Sequence, residues 1–238
     1  LGDEALQATL DSAICGALQD LEASCERRGF SLRQRVGAAC WDLEKMYCRQ
    51  VLLPWLHLEQ KREGSFRVAE AEQAHRLRLG ELELSLRPDR VDELEDGRRM
   101  VIDYKTRAPA RNQWMGARPG EPQLPLYALL DDKIEGIAFA SMAEQPPQFV
   151  GLGEGLGLSS QNEKPLQQQT KGVAEQWKEL VDVWRGSLTA LADDFIAGNA
   201  RVDPVSGACR YCNLSSVCRV RQLEPSEVIR TAEVEDVI

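Results

Sequence analysis

Apolar residues three and four positions apart dominate the start of the chain. Leu6, Leu10, Ile14, Leu18 and Leu21 recur at the spacing of one helical face and predict a helix from Glu4 to about Leu21. Leu32, Trp41, Leu43, Met46, Tyr47 and Val51 predict a second packing helix. Pro54 should end or kink it, because proline lacks a backbone donor and crowds the preceding turn. Cys15, Cys25, Cys40 and Cys48 fall in or beside these helices and read as small buried thiols.

Near Phe66 the period changes from 3.6 to 2. "SFRVAEAEQ" alternates, "HRLRLGELELSLRPDRVDEL" reads as a hairpin turning near Gly80 and Glu81, and "RRMVIDYKT" follows the Asp96–Gly97 turn as a third strand. Three successive β segments predict an antiparallel meander. "GEPQLPLYALLDD" then reads as a helix opened by Pro122, and "IEGIAFASM" as a further strand. From Glu144 to Lys171, Gly, Gln, Pro and Ser predominate, which predicts a surface connection with at most a short strand at Phe149 and Val150. Trp177, Leu180, Val181, Trp184, Leu188, Leu191 and Phe195 make one apolar helical stripe, capped at Gly198. The expected organisation is a helical segment over 1–65, an α/β core over 66–143, a connection over 144–170, a packing helix over 171–200 and a cysteine-bearing segment over 201–238.

Composition agrees with a globular chain. Its 238 residues are 43% hydrophobic and 28% charged, enough for one sizeable core. No apolar run approaches a membrane span and the first residues lack a signal-peptide pattern, so a cytoplasmic protein with no membrane association is expected. A net charge of −9 lowers the expectation of binding nucleic acid by bulk charge but leaves room for a local basic groove. No phosphate-binding G-x-x-x-x-G-K-[ST] loop is present, so nothing argues for an NTPase.

The chemistry concentrates in "VIDYKTRAP". In a strand, Asp103 and Lys105 share one face, and Asp89, after Pro88, would lie beside Asp103 as a hairpin neighbour. Two carboxylates can hold Mg²⁺ or Mn²⁺, which polarises a phosphodiester, and Lys105 could orient or deprotonate the attacking water. Glu72 or Glu70 could add a third ligand, with Glu72 preferred as closer to the hairpin; Asp92 is the rival to Asp89. A second cluster is Cys209, Cys212 and Cys218, spaced C-x2-C-x5-C, a pattern of metal ligands that suits zinc or an iron–sulfur cluster. His57 and His75 read as ordinary polar residues.

"RPDRVDEL", "MVIDYKTRAP" and "EPQLPLYALL", in that order, resemble the RecB-family (AddB-like) branch of the PD-(D/E)XK nucleases, with Arg87–Pro88 replacing the usual Gly-x before the first Asp. The resemblance implies a restriction-endonuclease-like α/β fold with a mixed central sheet flanked by helices, followed by the cysteine-cluster segment. It implies metal ligation by Asp89 and Asp103 and a catalytic role for Lys105; with Glu72 (or Glu70) as third ligand and catalytic carboxylate and the Tyr104 carbonyl as a further ligand, these make the expected metal and catalytic set. Gln123, Tyr127 and Arg90 take DNA-binding or site-organising roles. It further implies a [4Fe–4S] cluster on Cys209, Cys212 and Cys218. The cluster's fourth cysteine and a metal-site His belong to upstream segments absent from this sequence, so the chain is expected to be a C-terminal fragment holding little iron.

The function so implied is a Mg²⁺-dependent DNA exonuclease of repair or recombination, partnered with DNA and a helicase subunit or domain. The alternatives are a catalytically inactive nuclease fold that binds DNA or docks a subunit, and a zinc-stapled structural domain.

Overall fold

The computed structural model describes residues 2–108, 111–158, 164–205, 207–210 and 212–218. It opens with a helical arm: α1 (Asp3–Arg27), the short α2 (Leu32–Val36) and α3 (Ala38–Glu59). Gly29 at φ +86° and Gly37 at φ +84° supply the left-handed turns that separate them. Leu10, Ile14 and Leu18 of α1 bury against Trp41 of α3. His57 pairs with Asp3 and Arg49 with Asp11, so the helices run antiparallel. Continuing that register sets Leu21 opposite Ala39, too small to cover it, and Leu21 is exposed.

Three further expectations for this arm need correction. Pro54 neither ends nor splits α3, which runs on to Glu59. The buried face of α3 follows Trp41, Cys48, Leu52 and Trp55, so Leu43, Met46 and Tyr47 face outward. Of the four cysteines in the arm only Cys25 is buried; Cys15 and Cys40 are exposed.

Five strands form the central sheet: β1 (Phe66–Ala71), β4 (Arg90–Leu94), β5 (Arg99–Lys105), β6 (Ile134–Ser141) and β7 (Gln148–Gly153), in that spatial order. The β5–β6 pair is parallel and the others antiparallel, giving a mixed sheet. Between β1 and β4 the chain makes a separate two-stranded hairpin, β2 (His75–Leu79) and β3 (Leu82–Leu86). The expected meander is therefore interrupted. The run through "LSLRPDRVDEL" is two strands, because Pro88 has no N–H for a ladder.

Central strands are covered on both sides, which explains the unbroken apolar runs of β5 and β6. Val91, Val101, Ile137, Phe139 and Leu152 face one layer, made by the hairpin, α4 (Gln123–Ala128) and α6 (Trp177–Ile196). Met100, Ile102, Ala138 and Phe149 face the other, where Trp55 of α3 packs. Trp184 is fully buried and its indole N–H donates to the Trp114 carbonyl at 2.8 Å. Phe195 lies beyond the packed part of α6 and is exposed, while Gly198 at φ +68° provides the expected cap.

The stretch expected to be a surface connection is partly core. It contains the edge strand β7 and the short α5 (Leu166–Gln169), and it buries Leu156, Leu158 and Leu166. Glycine and glutamine density there reflects tight backbone packing: a Cβ on Gly151 would lie 2.5 Å from the Ile137 carbonyl oxygen. The Gln169 side chain accepts from the Gly153 N–H and donates to its carbonyl, extending the sheet edge. Among the described residues no helix is long and apolar enough to cross a membrane.

Candidate active site

Alternation along β5 places Val101, Asp103 and Lys105 on the face covered by α4, and Met100, Ile102 and Tyr104 on the face covered by α3. The β4–β5 register pairs Arg90 with Ile102, so the next position sets Asp89 beside Asp103. Asp89 Oδ2 accepts the Tyr104 backbone N–H at 2.9 Å, which fixes its carboxylate against β5.

A short helix completes the site. Gln123 and Tyr127 lie one turn apart on α4. The Gln123 amide donates from Nε2 to Asp103 Oδ1 at 2.6 Å and to the Tyr127 hydroxyl at 3.0 Å, and accepts from Lys105 Nζ at 2.8 Å. Tyr127 in turn donates to the Arg87 carbonyl at 3.1 Å, tying α4 to the segment that carries Asp89. Gln123 therefore sets the distance between an acid and a base. Tyr127 is 6% exposed, so it organises the site from within.

Asp103 is 1% exposed. Burial, followed by the neighbouring Asp89 charge, pushes its carboxyl above the usual range; Lys105 opposes this. Lys105 Nζ stands 2.7 Å from Asp103 Oδ2 and forms an ion pair with that buried oxygen. A buried carboxylate beside a second carboxylate, with one ammonium to counter both, is an arrangement that a divalent cation suits. Asp89, Asp103 and the Tyr104 carbonyl fit such an ion in chemical type, since Mg²⁺ keeps several waters and needs only one or two carboxylates. Lys105 also lies 5.4 Å from the centre of the Phe139 ring, whose negative face suits an ammonium.

Neither candidate for a third carboxylate faces Asp103 directly. A bulge in β1 falls between Val68 and Glu70. The Glu72 N–H then donates to the Asp89 carbonyl at 3.1 Å, with Glu72 at φ +52°, but its carboxylate pairs with Arg87 at 2.8 Å. Glu70 is held by His75 at 2.7 Å and by Arg99 at 3.1 Å, away from Asp103. Among the described residues no three His, Cys, Asp or Glu side chains are gathered as a metal group.

Two neighbours change role. Arg90, expected to face DNA or organise the site, is turned into the opposite layer, where it bonds Glu59, Asp92 and the Tyr104 hydroxyl. Its position in β4 alternates with Asp89, so the two side chains must leave on opposite faces. Asp92 is fully buried between Arg62 and Arg90, at 2.6 Å from each, and is a structural anion instead of a rival metal ligand. His57 and His75 pair with Asp3 and Glu70 and do not enter the site. Sequence reasoning missed the Glu59–Arg62–Asp92–Arg90 network, and only the three-residue spacing of Glu59 and Arg62 hinted at it.

At the other end, Cys209 and Cys212 are exposed and Cys218 is half-buried; Cys212 Sγ accepts the Leu214 N–H at 3.4 Å. Among the described residues these thiols are not gathered as a metal group, and they number three of the four thiolates that a cluster needs.

A family model described as the PD-(D/E)XK nuclease superfamily matches residues 3–219. This chain belongs to that superfamily. The sequence holds Pro88–Asp89 and, beyond it, Asp103–Tyr104–Lys105. Its members are typically metal-dependent phosphodiesterases that commonly use Mg²⁺ or Mn²⁺, and membership implies nuclease activity and interaction with DNA. The mixed sheet between helical layers is the α/β architecture of the superfamily. A solved structure titled "Crystal structure of SSO0001" aligns over 81% of this chain and 82% of its own, at 16% identity and a TM-score of 0.34. Among curated proteins, none matches the chain.

Proposed function

We propose that this chain is a metal-dependent DNA exonuclease domain of the RecB-like branch, acting in repair or recombination beside a helicase subunit or domain. The observation that carries the reading is the buried carboxylate of Asp103, set beside Asp89 and paired with Lys105. Asp89, Asp103 and the Tyr104 carbonyl would hold Mg²⁺ or Mn²⁺, with Glu72 as the third carboxylate. When bound, that ion supplies Lewis acidity and a more acidic water.

The chain's own groups do the rest. Lys105, fixed by Gln123 and Asp103, orients the attacking water and offsets negative charge that develops on the phosphate. Gln123 keeps Asp103 and Lys105 in register, and Tyr127 locks Gln123. Support for the RecB-like branch comes from "RPDRVDEL", "MVIDYKTRAP" and "EPQLPLYALL" in order. Cys209, Cys212 and Cys218 would supply three of the four thiolates of a [4Fe–4S] ligand set.

The test is degradation of linear and circular DNA with Mg²⁺ or Mn²⁺. Loss of end label as mononucleotides, with circles resistant, is the expected result. Internal cuts in circles would replace the exonuclease by an endonuclease. Binding without cleavage would favour the inactive DNA-binding or docking module.

A further inference from the structure

The tip of the helical arm carries a charge imbalance that the active site does not use. Over residues 26–36 four arginines, Arg27, Arg28, Arg33 and Arg35, stand against one carboxylate, Glu26, in a chain whose net charge is −9. All four are exposed, and none makes an ion pair among the described residues. Arg35 stacks over the Phe30 ring at 4.5 Å, which holds one guanidinium outward from the turn. The nearby Glu22 acts on Arg33 alone; its carboxylate accepts from the Ser31 hydroxyl at 2.5 Å and the Arg33 backbone N–H at 2.9 Å.

The arm points this tip past a particular edge of the sheet. Trp55, near the end of α3, packs on Tyr104 and Phe149. Earlier in α3, Tyr47, Val51 and Pro54 form a groove with Met142, Pro146 and Pro147 of the β6–β7 loop. That loop is pinned to the active-site strand, because the Met142 N–H donates to the Lys105 carbonyl at 3.1 Å. The N-terminal half of α3 therefore passes the C-terminal end of β5, where Lys105 sits, and continues outward. From Trp55 back to Ala38 is roughly 26 Å of helix at about 1.5 Å per residue. Arg107, also exposed and without an ion pair among the described residues, lies on the same edge.

We infer that the arm tip binds the phosphate backbone of the DNA whose end occupies the active site, the duplex running along α3, whose length from Trp55 corresponds to about 8 base pairs. The inference rests on the nuclease reading of that site. Unpaired arginines fit phosphate, and a superfamily that acts on DNA makes nucleic acid the partner these observations favour over an acidic protein.

The full-length chain and its Arg27→Gln/Arg28→Gln/Arg33→Gln/Arg35→Gln variant are compared in chelator by fluorescence anisotropy, on labelled duplexes of about 8 and about 30 base pairs between 50 and 200 mM salt. Glutamine keeps a good helix propensity, and matching thermal melts verify the fold. On the long duplex the variant should lose at least about tenfold in affinity, and its salt slope should flatten by up to about 3.6, at about 0.9 per phosphate contact. On the short duplex the two proteins should differ little. Equal slopes on the long duplex, or no binding by either protein, would overturn the inference. Cleavage of the short duplex with Mg²⁺ is read separately: cleavage with equal slopes sinks the arm and leaves the site, and a slope change without cleavage sinks the site and leaves the arm.

Discussion

Replacing Gln123 by leucine probes the element that joins the acid to the base. The substitution keeps volume on α4 and removes three hydrogen bonds, to Asp103 at 2.6 Å, Lys105 at 2.8 Å and Tyr127 at 3.0 Å. Bonds to charged groups contribute about 1.5–3 kcal/mol each. The Lys105 side chain is 32% exposed and can turn to water, whereas that of Asp103, at 2%, cannot. The folded state should therefore lose about 2–3 kcal/mol, mostly through Asp103. Catalysis should suffer more, because Lys105 loses its fixed position; removing one preorganised donor costs roughly 10²–10³ in rate. The assay is single-turnover cleavage of end-labelled DNA at saturating Mg²⁺, with urea melts in chelator to measure stability. Gln123→Glu is the companion variant: it keeps an acceptor for Lys105 but sets a second carboxylate against Asp103, so it separates the two halves of the bridge. A Gln123→Leu rate within about threefold of wild type, under 1 kcal/mol, would refute the bridge as the organiser of the site.

Three more outcomes follow from the same geometry. Asp103→Asn should abolish cleavage yet stabilise the metal-free protein by on the order of 1 kcal/mol at neutral pH. A carboxyl whose folded-state value is raised loses stability as pH climbs from the ordinary carboxylate range through the raised value, so the gain should vanish in acid. Melts in chelator from acid to neutral pH measure this, and an unchanged or lower neutral melting point contradicts it. Asp92→Ala strands Arg62 and Arg90 in the opposite layer and should cost about 3–5 kcal/mol by denaturant titration; a loss under about 1 kcal/mol would show that the network relaxes. Glu72→Gln should raise the Mg²⁺ concentration needed for half-maximal cleavage, while Glu70→Gln should lower stability and leave that concentration alone; the reverse pattern would exchange their roles.

Much of the candidate site is legible in the sequence because strand alternation and a one-turn helical spacing are local. Those two rules suffice to set Asp89 beside Asp103 and to put Gln123 and Tyr127 on one helix face, whereas the meeting of that face with Asp103 and Lys105 is a tertiary contact that only the family resemblance anticipates. What escapes is decided by partners distant in the chain. Arg90 resembles a site residue by adjacency to Asp89, but the pleat turns it toward Glu59 on a helix 31 positions earlier. Glu70 and Glu72 are equivalent by alternation, and the β1 bulge with its positive-φ exit separates them. Helical periodicity likewise finds α3 but not its buried face, since Leu43–Met46–Tyr47 and Trp41–Cys48–Leu52–Trp55 are both acceptable stripes until α1 and the sheet cover one of them. In β7, glycines that suggest a loop instead allow close strand approach.

The central claim is that Asp89, Asp103 and Lys105 form one hydrolytic site. Its most direct test is degradation of end-labelled single- and double-stranded DNA with Mg²⁺ or Mn²⁺ by the wild-type chain and by Lys105→Ala, whose fold should survive because the lysine is one-third exposed. Metal-dependent cleavage by the wild type and a loss of at least about 10²-fold in the variant are expected, with matched thermal melts. Equal cleavage by the two proteins would contradict it.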